Sequence, residues 1–304
     1  MISVIVPMYN VSNFVEECLQ SLVNQTLNKQ EFEVIIVNDC STDNSRELAL
    51  KFIKENENFR LIDNEVNVGL SQARNIGLKN MNKESTQFFF IDSDDYVSEN
   101  YLEKLSSGDG KLHFATLVKK IGNNYRNVEM NKWLFLESNT PIRSSVFLTP
   151  WYDRNSFFSE DIRYYEDFYF AIKNSYKMKS ELHDDVFYYY RINPDSITQS
   201  GMNDNKLNDF LSETLKTYKL SLTFDKVDSE DIQRWISDLW IEQLISLKGF
   251  RKKIKNFFKS NRIKISSRGL SFKRKIMFFF IKIKCESLLF SLIVFLAKIT
   301  KKFR

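Results

Sequence analysis

Glycine is scarce in this 304-residue chain, 8 in all, while phenylalanine reaches 27. That balance argues for regular elements and against long flexible linkers. The loop after the first apolar stretch, Pro7 to Asn13, contains neither glycine nor a basic residue, so it is no glycine-rich phosphate cradle. Cysteine is scarcer still: Cys18, Cys40 and Cys285 lie far apart and fit no metal-ligand spacing. A disulfide framework is thereby excluded, and a reducing compartment, the cytoplasm, is expected. The amino terminus, Met1-Ile2-Ser3-Val4-Ile5-Val6-Pro7, lacks the basic region of a secretion signal and has the pattern of a first strand.

What is present fits a globular protein. Hydrophobic residues make up 43%, and the length allows one large domain or two modest ones. The net charge of +5 conceals an asymmetry. From Lys248 to Arg304 there are 18 Lys and Arg against Glu286 alone, a balance of +17, leaving 26 basic and 38 acidic residues before it, or −12. A basic tail on an acidic body implies attraction to an anionic partner. Within that tail Lys273-Arg274-Lys275 precedes an apolar run from Ile276 to Ile281, and Leu288 to Ala297 is almost wholly apolar. Neither run approaches the roughly 20 residues that span a bilayer. Basic flanks around apolar faces predict a helix lying on anionic lipid, with a helix docked on the domain as the alternative. Aromatics gathered in solid apolar runs suit lipid better than nucleic-acid bases, so no nucleic-acid partner is expected.

The first half of the chain alternates in type. Ile2 to Val6 is a β-branched run stopped by Pro7, and Met8-Tyr9-Asn10 is a loop. A helix follows, with Ser12 or Asn13 as N-cap and Glu16 placed for a capping box. Phe32 to Val37 is a second strand, ending in Asn38-Asp39-Cys40-Ser41-Thr42-Asp43, and a helix runs from about Asp43 to Asn56. Phe59 to Ile62 is a third strand, Asn67-Val68-Gly69-Leu70-Ser71 a turn opening a helix, and Phe88 to Ile91 a fourth strand. This order predicts a mostly parallel sheet with right-handed crossovers. Lys111 to Ile121 and Asn127 to Phe135 are candidate further strands, joined around Gly122-Asn123-Asn124. Tyr164 to Ile172 opens a helix with two acids, Glu166 and Asp167, in its first turn. Val186 to Arg191 is an aromatic strand, and 206 to 258 is helical, with Trp235, Leu239, Trp240 and Leu244 on one face.

The fourth strand ends abruptly in Asp92-Ser93-Asp94-Asp95. In open α/β sheets ligands bind beyond the carboxyl ends of the strands. Three acids so close repel one another unless a cation or a set of donors compensates them. Hard oxygen donors without neighbouring His or Cys favour Mg²⁺ or Mn²⁺. Taken alone the cluster is equally a solvated turn. Glu166 and Asp167 are equally a pair that complements a helix dipole, and Arg191 equally a surface charge or a group that meets an anion. The polar ends of the first, second and fourth strands share one edge of the predicted sheet, which favours a binding site.

Taken in order, Pro7-Met8-Tyr9-Asn10, Val37-Asn38-Asp39-Cys40-Ser41-Thr42-Asp43, Asn67-Val68-Gly69 with Ser71, Ala73-Arg74-Asn75 and Gly77, and Asp92-Ser93-Asp94-Asp95 resemble glycosyltransferase family two. The resemblance covers about residues 2 to 200, and Glu166-Asp167, Tyr189-Tyr190-Arg191 and Ser196-Ile197-Thr198 extend it toward bacterial cell-surface polysaccharide enzymes. Cys40 stands where glycine is usual. The resemblance implies a GT-A fold: a Rossmann-like, mostly parallel sheet flanked by helices. It implies a catalytic domain over 1–200; residues after about 205 match no family, and their pattern alone gives a helical extension over 201–260 and the basic apolar tail over 261–304. It implies a metal-dependent inverting transfer from a nucleotide diphosphate sugar, a UDP-sugar above all, to a glycan acceptor. On the basic tail that acceptor is expected to be lipid-linked or polymeric, and the protein to sit peripherally on the inner face of the cell membrane.

Residue roles follow from the same resemblance. Pro7, Tyr9 and Asn10 line the nucleoside pocket and Asp39 accepts hydrogen bonds from the base. Asp92, with Ser93, binds the ribose or sugar, and Asp94 holds Mn²⁺ or Mg²⁺. Arg74 contacts donor sugar or phosphate, or else braces its helix against the acids. Arg191 steadies the diphosphate. Asp167 is the general base of a single displacement, and Glu166 orients either the acceptor or Asp167. A nucleotidyltransferase on a similar sheet and a non-catalytic glycan- or membrane-binding module are the alternatives. The first would want the phosphate cradle that Pro7 to Asn13 lacks, and the second has no use for Asp94 and Asp167.

Overall fold

A computed structural model describes residues 1–106, 108–109, 111–121, 124–127, 149–162, 165–175, 178–192, 201–225, 229–230, 232–233, 236 and 247–263. Ser196-Ile197-Thr198, the apolar face at Trp235, Leu239, Trp240 and Leu244, and the tail beyond residue 263 lie outside the described residues. The chain divides into two units, Met1–Glu213 and Thr214–Arg304.

The first unit is built on a parallel sheet of β1 (Ile2–Met8), β2 (Phe32–Asn38), β3 (Phe59–Asp63) and β4 (Gln87–Phe90), in the order β3-β2-β1-β4. β1 and β2 are buried along their whole length, as strands covered on both faces must be. Alternation divides their side chains. Val4, Val6, Val34, Ile36 and Phe89 join one core with α1 (Val15–Val23) and with Leu48, Phe52 and Ile53 of α2 (Ser45–Glu55). Ile5, Ile35, Val37, Phe88 and Phe90 join the other, with Ala73 and Leu78 of α3 (Leu70–Lys79). The chain therefore winds outward from β1 to β3, then returns through α3 to place β4 on the opposite side of β1. The strand order reverses between β1 and β4, and that switch point is where such sheets bind ligands.

Pro7 does not stop β1. The strand continues to Met8, with Pro7 opposite Val37. Even-numbered residues of β1 direct their main-chain groups to β2, as Ile2 N–H to the Glu31 carbonyl shows, and Ile5 directs its carbonyl to β4. Pro7 follows Ile5 on the β4 side, but the β1–β4 ladder ends at Ile5 opposite Phe90. Without an N–H, Pro7 cannot carry that pairing further, and the last bond of the ladder is the Ile91 N–H to the Ile5 carbonyl at 3.0 Å.

The first turn of α1 also differs from expectation. Its N-cap is Phe14, and no side chain caps it. Ser12 and Val11 instead have their own main-chain N–H groups taken by the second loop: Val11 N–H donates to Ser45 Oγ at 2.8 Å, and Ser12 N–H to Asp43 Oδ2 at 3.0 Å. A distant loop satisfies groups that local sequence assigned to a capping box.

A second sheet has the order β5-β8-β6-β7: β5 (Tyr96–Val97), β8 (Ser180–Arg191), β6 (Leu112–Ile121) and β7 (Asn124–Asn127). β6 and β8 run parallel, while β5–β8 and β6–β7 are antiparallel. The expected hairpin partner of β6 is thus Asn124–Asn127, and residues 128–135 lie outside the described set. Val97, Leu112, Phe114 and Tyr188, with α4 (Tyr101–Leu105), share the first core, so the two sheets form one hydrophobic body. The short α5 (Asp167–Ser175) lies on the other core through Phe170 and Ala171. α6 (Asp204–Ser221) begins in the first unit and ends in the second, whose α7 (Arg251–Ser260) buries Ile254 and Phe258 and exposes Lys252, Lys253 and Lys259. Among the described residues no helix is long and apolar enough to cross a membrane.

Gly77 shows how closely α3 approaches β1. A Cβ there would collide with the side chain of Ile5, which is fully buried. Gly77→Ala should therefore lower stability by about 1–3 kcal/mol, the usual cost of overpacking, despite alanine's better helix propensity. Chemical denaturation of the two proteins checks this.

Candidate functional site

The loops that leave β1 and β2 are locked together at the sheet edge. Asn10 has φ 51°, a left-handed conformation that asparagine tolerates. Its Oδ1 accepts from Thr42 N–H at 2.8 Å, and its N–H donates to Ser41 Oγ at 3.1 Å. Cys40 has φ 61°, the reason a glycine is at home at this position. Tyr9 is exposed beside them, and Pro7 is buried within β1.

Asp39 is buried, and its carboxylate holds the turn before α3. It accepts from Val68 N–H and Gly69 N–H at 2.8 Å each and from Asn64 Nδ2 at 2.9 Å, while its carbonyl accepts from Asn67 Nδ2 at 3.1 Å. The Asn67-Val68-Gly69 motif is thus shaped by Asp39. A carboxylate has about four acceptor positions, so a nucleotide base would share this one with the turn.

Helix α3 carries its motif on two faces. Ala73 and Gly77 pack toward the sheet. Ser71 donates to the Ile162 carbonyl at 2.7 Å, and the Asn75 side chain pairs with Phe158, donating to its carbonyl at 3.0 Å and accepting its N–H at 2.8 Å. Between them Arg74, 2% exposed, extends into the protein. Its guanidinium donates to Asp92 Oδ1 at 2.8 Å and to Glu166 Oε1 at 2.5 Å. Phe90 and Phe158 lie against it, with ring centres 5.7 and 5.3 Å from Cζ. Both acids hold Arg74 charged, its pKa raised above the usual guanidinium value against the cost of burial. Arg74 thus ties α3 to the loop after β4 and to the residue before α5.

The three acids after β4 have different surroundings. Asp92 is half-buried on Arg74. Asp95 is buried and accepts from the Tyr188 hydroxyl at 2.8 Å and the Arg191 N–H at 2.7 Å. Burial first, then Asp94 and Asp92, push its carboxyl well above the usual range. The same tyrosine oxygen accepts the Asp92 N–H at 3.2 Å. Ser93 is buried between them and Asp94 is half-buried. Asp94 is thus a hard oxygen donor at the mouth of the loop, suited to Mg²⁺ or Mn²⁺, which take one or two carboxylates and complete their shell with water and phosphate. The buried Asp95 buttresses the turn, and Cys18, whose thiol lies beneath on the Asp92 carbonyl at 3.7 Å, is held in its protonated form by burial and these acids.

Glu166 is buried on Arg74, and Asp167 is the first residue of α5. Burial and then the neighbouring Glu166 push the Asp167 carboxyl up to about 8, against the pull of Arg74. Arg191 anchors by its main chain to Asp95, while its guanidinium donates to Glu17 Oε2 at 2.6 Å and lies over Phe14 and Tyr96. Tyr188, Ser45 and Trp151 went unread in the sequence, and Asp43 was read only as part of the polar motif after β2. Trp151 bonds across to Phe88 through both main-chain groups, at 2.9 and 2.8 Å, and its only sequence signal was its size. A recess of about 860 Å³ between α1 and β5 is lined by Glu17, Tyr96 and Tyr189, and its lining includes none of Asp39, Asp92, Asp94 or Asp167.

A doubly wound sheet with acids gathered at its switch point defines the class: an α/β domain of the GT-A fold. Residues 3–130 match the sequence model of glycosyl transferase family 2. It is 34% identical over 225 residues to the uncharacterized glycosyltransferase EpsJ of Bacillus subtilis, covering 66% of this chain and 63% of that protein. It is 31% identical over 206 residues to the poly(ribitol-phosphate) beta-N-acetylglucosaminyltransferase TarS of Staphylococcus aureus, covering 62% of this chain and 35% of TarS. The matched region therefore spans less than two thirds of either relative. The crystal structure of TarS 1-349 in complex with UDP-GlcNAc superposes with a TM-score of 0.69 at 23% identity, over 86% of this chain and 78% of that one. A mannosyltransferase of Pyrobaculum calidifontis in complex with GDP-Man and Mn²⁺ superposes with a TM-score of 0.56 at 14% identity, over 96% of this chain and 80% of the other.

Removing the Arg74 charge leaves the buried Glu166 and the half-buried Asp92 without their cation. Arg74→Met should destabilise by about 3–5 kcal/mol, the usual effect of removing one partner of a buried ion pair. Thermal and denaturant unfolding measure it.

Proposed function

We propose that this chain is an inverting glycosyltransferase that moves a sugar from a UDP-sugar to a glycan acceptor of the bacterial cell surface, teichoic acid or polysaccharide. One observation carries the reading: Arg74 brings Asp92 of the β4 loop and Glu166, 92 positions further along the chain than Arg74, to one point at the switch edge. Asp167 is thereby held beside the acids that follow β4. TarS bound to UDP-GlcNAc supports the choice of donor, and the poly(ribitol-phosphate) acceptor in its name supports the choice of acceptor class.

In this reading the loops at Pro7, Tyr9 and Asn10 and the Asp39 turn receive the nucleoside. Asp92 and Ser93 meet the ribose or sugar. Asp94 holds a divalent ion, Mn²⁺ or Mg²⁺, which when bound neutralises charge on the departing diphosphate. Arg191 offers a cation at the same edge. Glu166, fixed on Arg74, orients the first turn of α5, so that Asp167 takes the proton of the acceptor hydroxyl from the face opposite the leaving group. A single displacement of this kind inverts the anomeric centre. A carboxyl raised toward neutrality by burial suits a general base, since its affinity for the proton then matches the working pH.

The basic tail, with α7 presenting Lys252, Lys253 and Lys259 at its start, is proposed to bind anionic lipid and keep the enzyme at the cytoplasmic face of the membrane. Deletion of residues 270–304 should release the protein from anionic vesicles, and unchanged sedimentation with them would remove the tail from this role.

Asp94→Ala and Asp167→Asn should leave the fold intact while turnover, followed by nucleoside diphosphate release with a panel of nucleotide sugars, falls about 10²–10⁴-fold for the base variant. Near-normal turnover in both would sink the mechanism. The base works deprotonated, so below its pKa, raised to about 8, the rate of the unaltered protein should fall about tenfold per pH unit. A flat profile there would reassign the base.

A further inference from the structure

The chain has two histidines, His113 and His183. They fall together. In the parallel pairing of β6 and β8, His113 lies opposite Glu181, and Ala115 opposite His183. Residues opposite one another, and those two positions on, share a face of the sheet. His113, Glu181 and His183 therefore occupy one face by register alone. It is the face opposite the core residues Leu112 and Phe114, which alternate with His113.

The side chains close on one another. His113 Nδ1 and His183 Nε2 are 2.9 Å apart. One ligating atom from each of His113, Glu181 and His183 lies within 4.8 Å of the others. His113 Nε2 is 2.8 Å from Asp109 Oδ1. An imidazole that presents one nitrogen to a ligand position and its other N–H to a carboxylate is the usual arrangement of a metal-bound histidine. Lys111 pairs with Glu181 Oε2 at 2.8 Å and with Asp109 Oδ2 at 3.1 Å. With neutral imidazoles, two carboxylates and one ammonium leave the cluster a net negative charge, which favours a cation.

We propose that this cluster is a binding site for a borderline divalent ion of the Zn²⁺ class, ligated by His113 Nδ1, His183 Nε2 and a Glu181 oxygen, with Asp109 behind His113 and water completing the shell. Two nitrogens about 2.0–2.1 Å from a tetrahedral ion stand about 3.3 Å apart, so the imidazoles need part by only about 0.4 Å. The ion replaces the proton that the two nitrogens share. Nitrogen donors set this site apart from the oxygen site at Asp94: the first favours Zn²⁺, Co²⁺ and Ni²⁺, the second Mg²⁺ and Mn²⁺. The register of β8 breaks immediately after His183, where Ala115 pairs with His183 but Thr116 with Phe187. Thr116 Oγ1 holds the His183 carbonyl at 2.9 Å across that bulge. His183 is therefore fixed on its backbone at the amino-terminal end of β8, while Arg191 and the acid cluster lie at the other end, on the order of 20 Å away along the strand. The ion clips β6 to β8 at the end of β8 away from Arg191, and its role is to brace the second sheet.

Titration of the full chain with Co²⁺ tests this without an activity assay. One equivalent should produce the strong visible bands of a tetrahedral ion with nitrogen ligands. An octahedral oxygen site gives only weak ones. Zn²⁺ should abolish the bands and raise the thermal midpoint by several degrees, and a chelator should reverse both. Glu181→Gln and His183→Gln should each weaken binding at least tenfold, and Asp109→Asn by about 10–100-fold. Glu181 is exposed, so its variant is expected to fold even if the histidine variants do not. Asp94→Ala should leave the bands unchanged. Bands that survive Glu181→Gln and His183→Gln, bands lost with Asp94→Ala, or no tetrahedral bands at one equivalent would each overturn the proposal.

Discussion

A guanidinium out of reach of water cannot remain charged without partners, and this condition at Arg74 organises the first unit. Its two carboxylates come from elements with no local reason to meet, the loop after β4 and the residue before α5. Desolvating such a charge costs several kcal/mol unless the geometry is good and its hydrogen bonds are made. The aromatic walls at Phe90 and Phe158 exclude water and leave the acids as the way to meet that cost. Displacing any one of the three groups would strand charge on the other two. The position of the β4 loop relative to α5 is fixed by electrostatics as much as by packing.

The acid loop shows how one short stretch acquires several functions from its surroundings. Asp92 is committed to Arg74, Asp95 to Tyr188 and the Arg191 main chain, and Asp94 stands half-buried at the mouth. Tyr188 serves two of these residues at once, donating its hydroxyl proton to Asp95 while receiving the Asp92 N–H. A hydroxyl that both donates and accepts can hold a turn of like charges that would otherwise spread apart. Asp39 works similarly on the opposite loop, where a single carboxylate sets the conformation of Asn67-Val68-Gly69.

Much of the fold was legible because it rests on local regularities. Apolar runs at Ile2–Val6, Phe32–Val37, Phe59–Ile62 and Phe88–Ile91 are strands to within a residue or two, and the helices between them follow their apolar spacing. The ends were less legible. Pro7 remains in β1 because the pairing with β2 continues past it to Met8, and the entry to α1 is satisfied by Asp43 and Ser45 from another loop. The second sheet was glimpsed in β6 and β8, but pairing between strands some seventy residues apart has no local signal.

The sequence by itself determined the alternation of strand and helix, the polar clusters at the carboxyl ends of strands, and the family those clusters indicate. These depend on period, on side-chain chemistry and on order along the chain. Only the tertiary structure decided what each polar group does. It placed Arg74 on the acids, separated Asp94 from its neighbours Asp92 and Asp95, set the Arg191 guanidinium on Glu17, and brought a ring nitrogen of each histidine together. The reason is that a charge or donor is defined by its partners, and here the partners come from elsewhere in the chain. Burial, which turns a surface acid into a buttress or a base, exists only once the chain has closed around it.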